Sequence, residues 1–231
     1  MCGIFGSSKF ITFEKLYNHN KTRGSFAGGS VYIKNTSNIF LRKWEGVLCA
    51  QDMTGYFPFV NEYNKFVGHT QAPTGSVRQY NDRTTHPFEH GDWIVAHNGV
   101  LENDQQLRKE YTSMSTYDRE FDSSDIPVDS AVIPLLLDTL HVGDDVLAIK
   151  ETAQNLKGTF GCWLYSKKSG QLYLIRSGST IFANIETGDF SSILVPELCE
   201  TPLQEGVIYC VTTEGITNVG KFTTNSPFFL F

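Results

Sequence analysis

Three short segments combine residue types able to attack an amide carbonyl and hold the charge that results. The chain begins Met1-Cys2-Gly3-Ile4-Phe5-Gly6. Removal of Met1 leaves Cys2 with a thiol and its own α-amine, whose pKa of about 7.7–8.0 lets it take a proton from the thiol and return it later. The thiolate is the attacking form. Taken alone, a cysteine here equally describes a small buried side chain in a first strand. The second segment is Gly68-His69-Thr70-Gln71-Ala72-Pro73-Thr74-Gly75, directly after a strand-like run. The third is His97-Asn98-Gly99. An asparagine amide and a neighbouring backbone N–H can stabilise an oxyanion, and losing one such donor costs about 3 kcal/mol in the transition state. Asn-Gly by itself is also the strongest short hairpin signal.

The elements that must position these groups follow from periodicity and punctuation. Ile4-Phe5, Ser30 to Lys34 and Ile39 to Lys43 read as short strands, with a short helix over Thr12 to Asn20 capped by Thr12. Lys65 to Thr70 and Trp93 to Ala96 read as buried strands. Asn103 followed by Gln106 has capping-box spacing and predicts a helix start. Asp129 to Leu140 carries Val132, Leu135, Leu136 and Leu140 on one helical face, with Pro134 bending or delaying its start. The polar stretch Thr112 to Asp125 reads as a loop. Asp144 to Lys157 is the clearest helix, opened by acidic residues and striped by Val146, Ile149, Ala153 and Leu156. Beyond it lie strands over Thr159 to Ser166, Gln171 to Arg176, Thr180 to Ile185, Ser192 to Val195, Val207 to Thr212 and Ile216 to Val219, with a hairpin turn at Lys168-Ser169-Gly170. Strands, helices and strands again predict sheets packed on one another with helices outside.

Whole-chain properties narrow the class. With 231 residues, 40% hydrophobic and 19% charged, the chain reads as one globular domain over 1–231. A net charge of −6 gives no overall footprint for nucleic acid or anionic membrane. The densest apolar stretch, Ala131 to Leu137, is far short of the roughly 20 residues a membrane span requires. The start lacks the basic and apolar regions of a secretory signal. Five cysteines, Cys2, Cys49, Cys162, Cys199 and Cys210, form no close pair, which fits a reducing, cytoplasmic setting and offers no metal-ligand spacing.

In their order these segments resemble the class II (N-terminal nucleophile) glutamine amidotransferases. The likeness is nearest to the glutaminase domain of glucosamine-6-phosphate synthase, where the start reads Cys-Gly-Ile-Val-Gly and the later blocks GHTRWATHG, AHPH and HNGIIEN. Here they read GHTQAPTG, THPF and HNGVLEN. Thr22-Arg23-Gly24, Val128-Asp129-Ser130, Leu156 to Gly161 and Arg176-Ser177-Gly178-Ser179 extend the resemblance to about Val219. It implies a four-layer αββα sandwich (α+β) and hydrolysis of the glutamine side-chain amide through a Cys2 γ-glutamyl thioester. No cofactor or metal is implied. Cys2 would be nucleophile and base, and Asn98 and Gly99 the oxyanion hole. Asp129 would bind the substrate α-ammonium, Thr74 would line the pocket, and Arg23 would order the nucleophile. His86 and His97 are expected to be structural.

The pattern departs at Gln71, where the family has the arginine that clamps the substrate α-carboxylate. An amide supplies neither the charge nor the guanidinium fork. Arg78 is a candidate replacement. Other readings are a γ-glutamyl substrate with an altered carboxylate, or a catalytically silent binding or regulatory module. Ala72, Gly75 and Phe26 also replace family residues. Because the family couples ammonia release to its consumption, a separate ammonia-accepting enzyme is the expected partner. The apolar segment Ser226 to Phe231 is a candidate contact for it, or an edge segment folded back on the sheet.

Overall fold

The structure, a computed structural model, describes residues 2–48, 60–72, 79–112, 126 and 128–224. Of the expected loop Thr112 to Asp125, residues 113–125 lie outside the described residues, as do the terminal segment 226–231 and Met1, Cys49, Thr74 and Arg78.

Alternation of side chains along the strands builds two stacked sheets. In the first, seven strands run in the order β11 (Thr201–Pro202), β9 (Phe182–Ala183), β10 (Phe190–Ser191), β1 (Gly3–Ser7), β4 (Lys65–Gln71), β2 (Ala27–Asn35) and β3 (Asn38–Glu45). In the second, six run in the order β13 (Gly215–Lys221), β12 (Val207–Thr212), β8 (Leu172–Ser177), β7 (Gly158–Ser166), β6 (Trp93–Leu101) and β5 (Phe88–His90). All these neighbours pair antiparallel. Ile4, Val31, Ile33 and Val67 point inward from the first sheet and meet Ile94, Ala96, Trp163, Tyr165 and Leu174 of the second. Their alternates point outward. Phe5, Tyr32 and Phe66 pack against Phe13, Leu16 and Tyr17 of helix α1 (Phe10–Asn20). Val95, Cys162, Leu164 and Ile175 meet three helices: α2 (Asp104–Tyr111), α3 (Val132–Thr139) and α4 (Asp145–Asn155). One period-two pattern therefore serves two interfaces at once and gives the four-layer αββα sandwich.

Several local expectations shift. Helix α1 starts at Phe10, so Thr12 sits inside its first turn. Ser7 ends β1 and accepts from the Lys9 N–H at 2.9 Å, turning the chain into the helix before Thr12 is reached. The predicted strand over Ser192 to Val195 is instead Phe190–Ser191, after which the chain turns back so that Val195 bridges to Cys199. Asn98-Gly99 is strand, not hairpin: both residues lie within β6 and face Gly161 and Phe160. Asn103 makes no side-chain cap. Its amide donates to the Asn155 carbonyl and accepts from the Lys157 N–H, tying α2 to the end of α4. Pro134 falls in the first turn of α3, behind a 3-10 turn at Asp129–Ala131, where an N–H would lack a helical partner anyway. Asp144 caps α4 by accepting from the Leu147 N–H at 3.0 Å.

The sheets are also joined by a polar tie through the apolar layer: the Trp163 indole N–H donates to the Gly68 carbonyl at 3.0 Å. Replacing Trp163 with Phe keeps most of the ring but leaves that carbonyl short of a donor. Denaturant titration is expected to show a loss of about 1–3 kcal/mol.

Candidate active site

Strand register sets where Cys2 lies. Gly3, first in β1, pairs with Thr70, so Cys2 sits beside Gln71 and Ala72 at the carboxyl end of β4. Its sulfur is 3.9 Å from the Ala72 carbonyl oxygen, and the residue is only 8% exposed. Behind it, Asn20 closes α1 in full burial. The Asn20 amide donates to the Leu16 carbonyl and to Ser191 Oγ, and its Oδ1 accepts from Ser192 Oγ. Ser192 Oγ in turn accepts from the Ile4 N–H at 3.1 Å. A Cβ at Gly3 would lie 2.7 Å from Thr70 Oγ1 and 2.8 Å from Asn20 Oδ1, so only glycine lets β1 approach so closely. Arg23 follows α1, its backbone N–H donating to the Asn20 carbonyl and its Nη1 to the Ser192 carbonyl at 3.1 Å. Partial burial lowers the guanidinium pKa, and the negative form of Cys2 acts in the opposite direction. Arg23 is therefore near enough to favour the thiolate.

The facing sheet contributes the second half. Gly68 meets Trp163, whose strand partner is Ala96, and His69 Nε2 lies 3.1 Å from the His97 carbonyl oxygen. The two strands therefore run alongside each other, and the residues next toward the carboxyl end of β6 are Asn98 and Gly99. Cys2 and Asn98-Gly99 are brought to the same end of the two sheets. Asn98 is buried. Gly99 has φ of +153°, and a Cβ there would come 2.0 Å from the Thr159 carbonyl oxygen, so the peptide geometry at this point depends on glycine.

Asp129 sits on the 3-10 turn before α3. Its Oδ2 accepts from the Leu101 N–H at 2.9 Å, which anchors it to the end of β6. Its Oδ1 is 3.2 Å from Ser130 Oγ, and Ser130 Oγ is 2.8 Å from His97 Nδ1. The His97 Nε2 is 3.1 Å from the Thr159 carbonyl oxygen. Burial lowers the His97 pKa, opposed by the Asp129 charge and by the contact with Thr159. His69 is fully buried and pushed down to about 3, chiefly by burial, with its Nε2 on the His97 carbonyl. It stacks on His86 with ring centroids 3.9 Å apart. Both His69 and His97 are thus neutral near pH 7.

Gln71 points inward and is 1% exposed. Its Nε2 donates to the Thr84 carbonyl at 3.2 Å, and its Oε1 accepts from the His86 N–H and lies 3.2 Å from His86 Nδ1. Its amide is engaged within the protein at both ends. Reading residues by type did not pick out Asn20, Ser191 or Ser192, and assigned no role to Ser130. Asn20 and Ser192 are 172 positions apart and meet only through the fold. The other described cysteines, Cys162, Cys199 and Cys210, are buried, and burial raises their thiol pKa values. Among the described residues no group of three or more His, Cys, Asp or Glu side chains could hold a metal, and no helix is long and apolar enough to cross a membrane.

No family model matches the sequence. Individual proteins do. The chain is 27% identical over 206 residues to a glutamine–fructose-6-phosphate aminotransferase (isomerizing) of Clostridium acetobutylicum, covering 86% of this chain and 32% of that protein. It is 28% identical over 149 residues to a 7-cyano-7-deazaguanine synthase of Saccharolobus solfataricus, covering 64% of this chain and 30% of that protein. The chain thus spans about a third of the curated relatives it matches. In fold it superposes on the glutamine phosphoribosylpyrophosphate amidotransferase of B. subtilis with a TM-score of 0.72 at 16% identity, covering 97% of this chain and 50% of that one. A glutamine aminotransferase class-II domain protein of Silicibacter pomeroyi superposes with a TM-score of 0.59 at 16% identity, covering 96% and 99% of the two chains.

The buried neutral imidazoles carry a pH signature. Above an unfolded His pKa of about 6.5, His69 is neutral in both states. Below that value the unfolded chain takes up a proton that the folded chain refuses until about pH 3, so stability falls as pH drops through this window. His69→Phe, measured by denaturation at several pH values between 7 and 5, is expected to flatten the slope by up to about 1.4 kcal/mol per pH unit relative to the parent.

Proposed function

We propose that this chain, which is similar in sequence to proteins with a class II, N-terminal nucleophile glutamine amidotransferase domain and shares their fold, hydrolyses the side-chain amide of L-glutamine and hands the ammonia to an acceptor enzyme, acting in the cytoplasm as one domain over 1–231. The observation that carries this reading is the meeting of Cys2, beside Arg23, with Asn98-Gly99 at one end of two facing sheets.

The chemistry follows from these positions. With Met1 removed, the Cys2 α-amine takes the thiol proton and the thiolate attacks the side-chain carbonyl carbon. The oxyanion is received by the Asn98 amide and the Gly99 N–H, held in place before reaction so that little reorganisation is needed as charge develops. Collapse of the adduct expels ammonia, which leaves with the proton from the α-amine. Water then attacks the thioester, releasing glutamate and restoring the thiol. Asp129 receives the substrate α-ammonium, Arg23 supports the thiolate, and Thr74 is the further residue assigned to substrate binding.

The α-carboxylate requires a different partner from Gln71, whose amide is already engaged by Thr84 and His86. Gln71 contributes by holding the end of β4 beside Cys2, and Arg78 supplies the positive charge. The same inward turn favours a second substrate, a γ-glutamyl compound whose carboxylate is altered. A silent binding module is the remaining alternative. It is disfavoured by the retention of Cys2, Asn98, Gly99 and Asp129 together.

Met-processed protein incubated with glutamine is expected to release glutamate and ammonia in equal amounts, and Cys2→Ala to release neither. Activity in the Cys2→Ala protein equal to the parent's would remove the nucleophile from the account. Asn98→Ala is expected to lower kcat by about 100- to 1,000-fold. Arg78→Ala is expected to raise the glutamine KM at least about tenfold, the size of a lost charge-assisted contact, with kcat little changed. An unchanged KM would exclude Arg78 as the carboxylate partner.

A further inference from the structure

The contacts around His97 restrict where protons can be. Its Nε2 faces the Thr159 carbonyl at 3.1 Å, and a carbonyl only accepts, so Nε2 carries the proton. The ring is 2% exposed and neutral, so Nδ1 is left as an acceptor. Nδ1 lies 2.8 Å from Ser130 Oγ. A serine hydroxyl has one proton, and at this separation it must go to His97. The same oxygen is 3.2 Å from Asp129 Oδ1, where it then has no proton to offer. The other carboxylate oxygen, Oδ2, already accepts from the Leu101 N–H at 2.9 Å. Within this network, therefore, Oδ1 is the carboxylate oxygen that receives no hydrogen.

We propose that Ser130 and His97 are positioning residues for substrate recognition: by drawing the Ser130 proton onto its Nδ1, His97 keeps Asp129 Oδ1 open to receive the α-ammonium of the substrate. This rests on the glutaminase reading. Without His97 as acceptor, the Ser130 hydroxyl would turn to Asp129 and compete with the substrate for that oxygen. Without the hydroxyl, no competitor for Oδ1 remains, Oδ2 is still held by the Leu101 N–H, and His97 Nδ1 loses the hydrogen bond it accepts. The arrangement also links the two halves of the site, because His97 directly precedes Asn98 and its own carbonyl accepts from His69.

The test compares the parent protein with His97→Phe and with the double variant His97→Phe/Ser130→Ala. In His97→Phe the Ser130 hydroxyl has lost its acceptor and turns to Asp129, and the glutamine KM is expected to rise about tenfold. In the double variant, which has no hydroxyl to compete for Oδ1, KM is expected to return toward the parental value. A parental KM in His97→Phe, or a KM in the double variant as high as in His97→Phe, would overturn the proposal. The proton arrangement is read separately, without turnover, from 15N-edited imidazole spectra. The parent is expected to show His97 neutral and protonated at Nε2, with the Nδ1 resonance shifted by an accepted hydrogen bond. That shift should be lost in Ser130→Ala and kept in Ser130→Thr. A His97 protonated at Nδ1 in the parent would overturn the arrangement. A parent that shows the Nε2–H signature but never consumes glutamine would support the arrangement and overturn the reaction assigned to it.

Discussion

The site depends on two hydrogen bonds that cross between the sheets: Trp163 to the Gly68 carbonyl and His69 to the His97 carbonyl. An apolar interface between sheets is non-directional, and by itself it tolerates sliding by a fraction of a residue. Directional hydrogen bonds at adjacent residues of β4, accepted by the Gly68 carbonyl and donated by His69, set the alignment of β4 against β6 and β7. That alignment puts the β1 terminus, and Cys2 with it, opposite the Asn98-Gly99 peptide. Both ties are buried, where water cannot substitute for either partner and a missing donor is costly.

Burial of the imidazoles is part of the same design. Held neutral, each ring acts as a donor on one nitrogen. His97 uses the other nitrogen to accept from Ser130. His69 Nδ1 is buried with no hydrogen-bond partner, a modest cost retained beside β1. His69 also stacks on His86, which joins Gln71 to the same cluster.

Much of the layering was legible in the sequence, because alternation along β4, β6 and β7 and the helical stripe of α4 each follow from one simple period. The acidic cap of α4 was legible for the same local reason, since Asp144 acts on a donor three residues away. Elements set by distant contacts were not. The strand expected at Ser192 to Val195 gives way because Ser191 and Ser192 turn toward Asn20 and the backbone of β1. Asn98-Gly99 looks like a turn in isolation and is drawn into a nine-residue strand by its pairing with β7. The candidate site was visible as residue types, but its support was not. Asn20, Ser192 and Ser130 have no marking that distinguishes them from surface polar residues until the chain is folded.

The inward turn of Gln71 limits what substitution can achieve there. A single exchange to arginine at this position would not present a cation to an open site. The guanidinium would inherit a buried slot shaped for an amide, between the Thr84 carbonyl and His86, and its charge would be desolvated there. A cation serving an anionic ligand is therefore more readily accommodated away from residue 71 than at it.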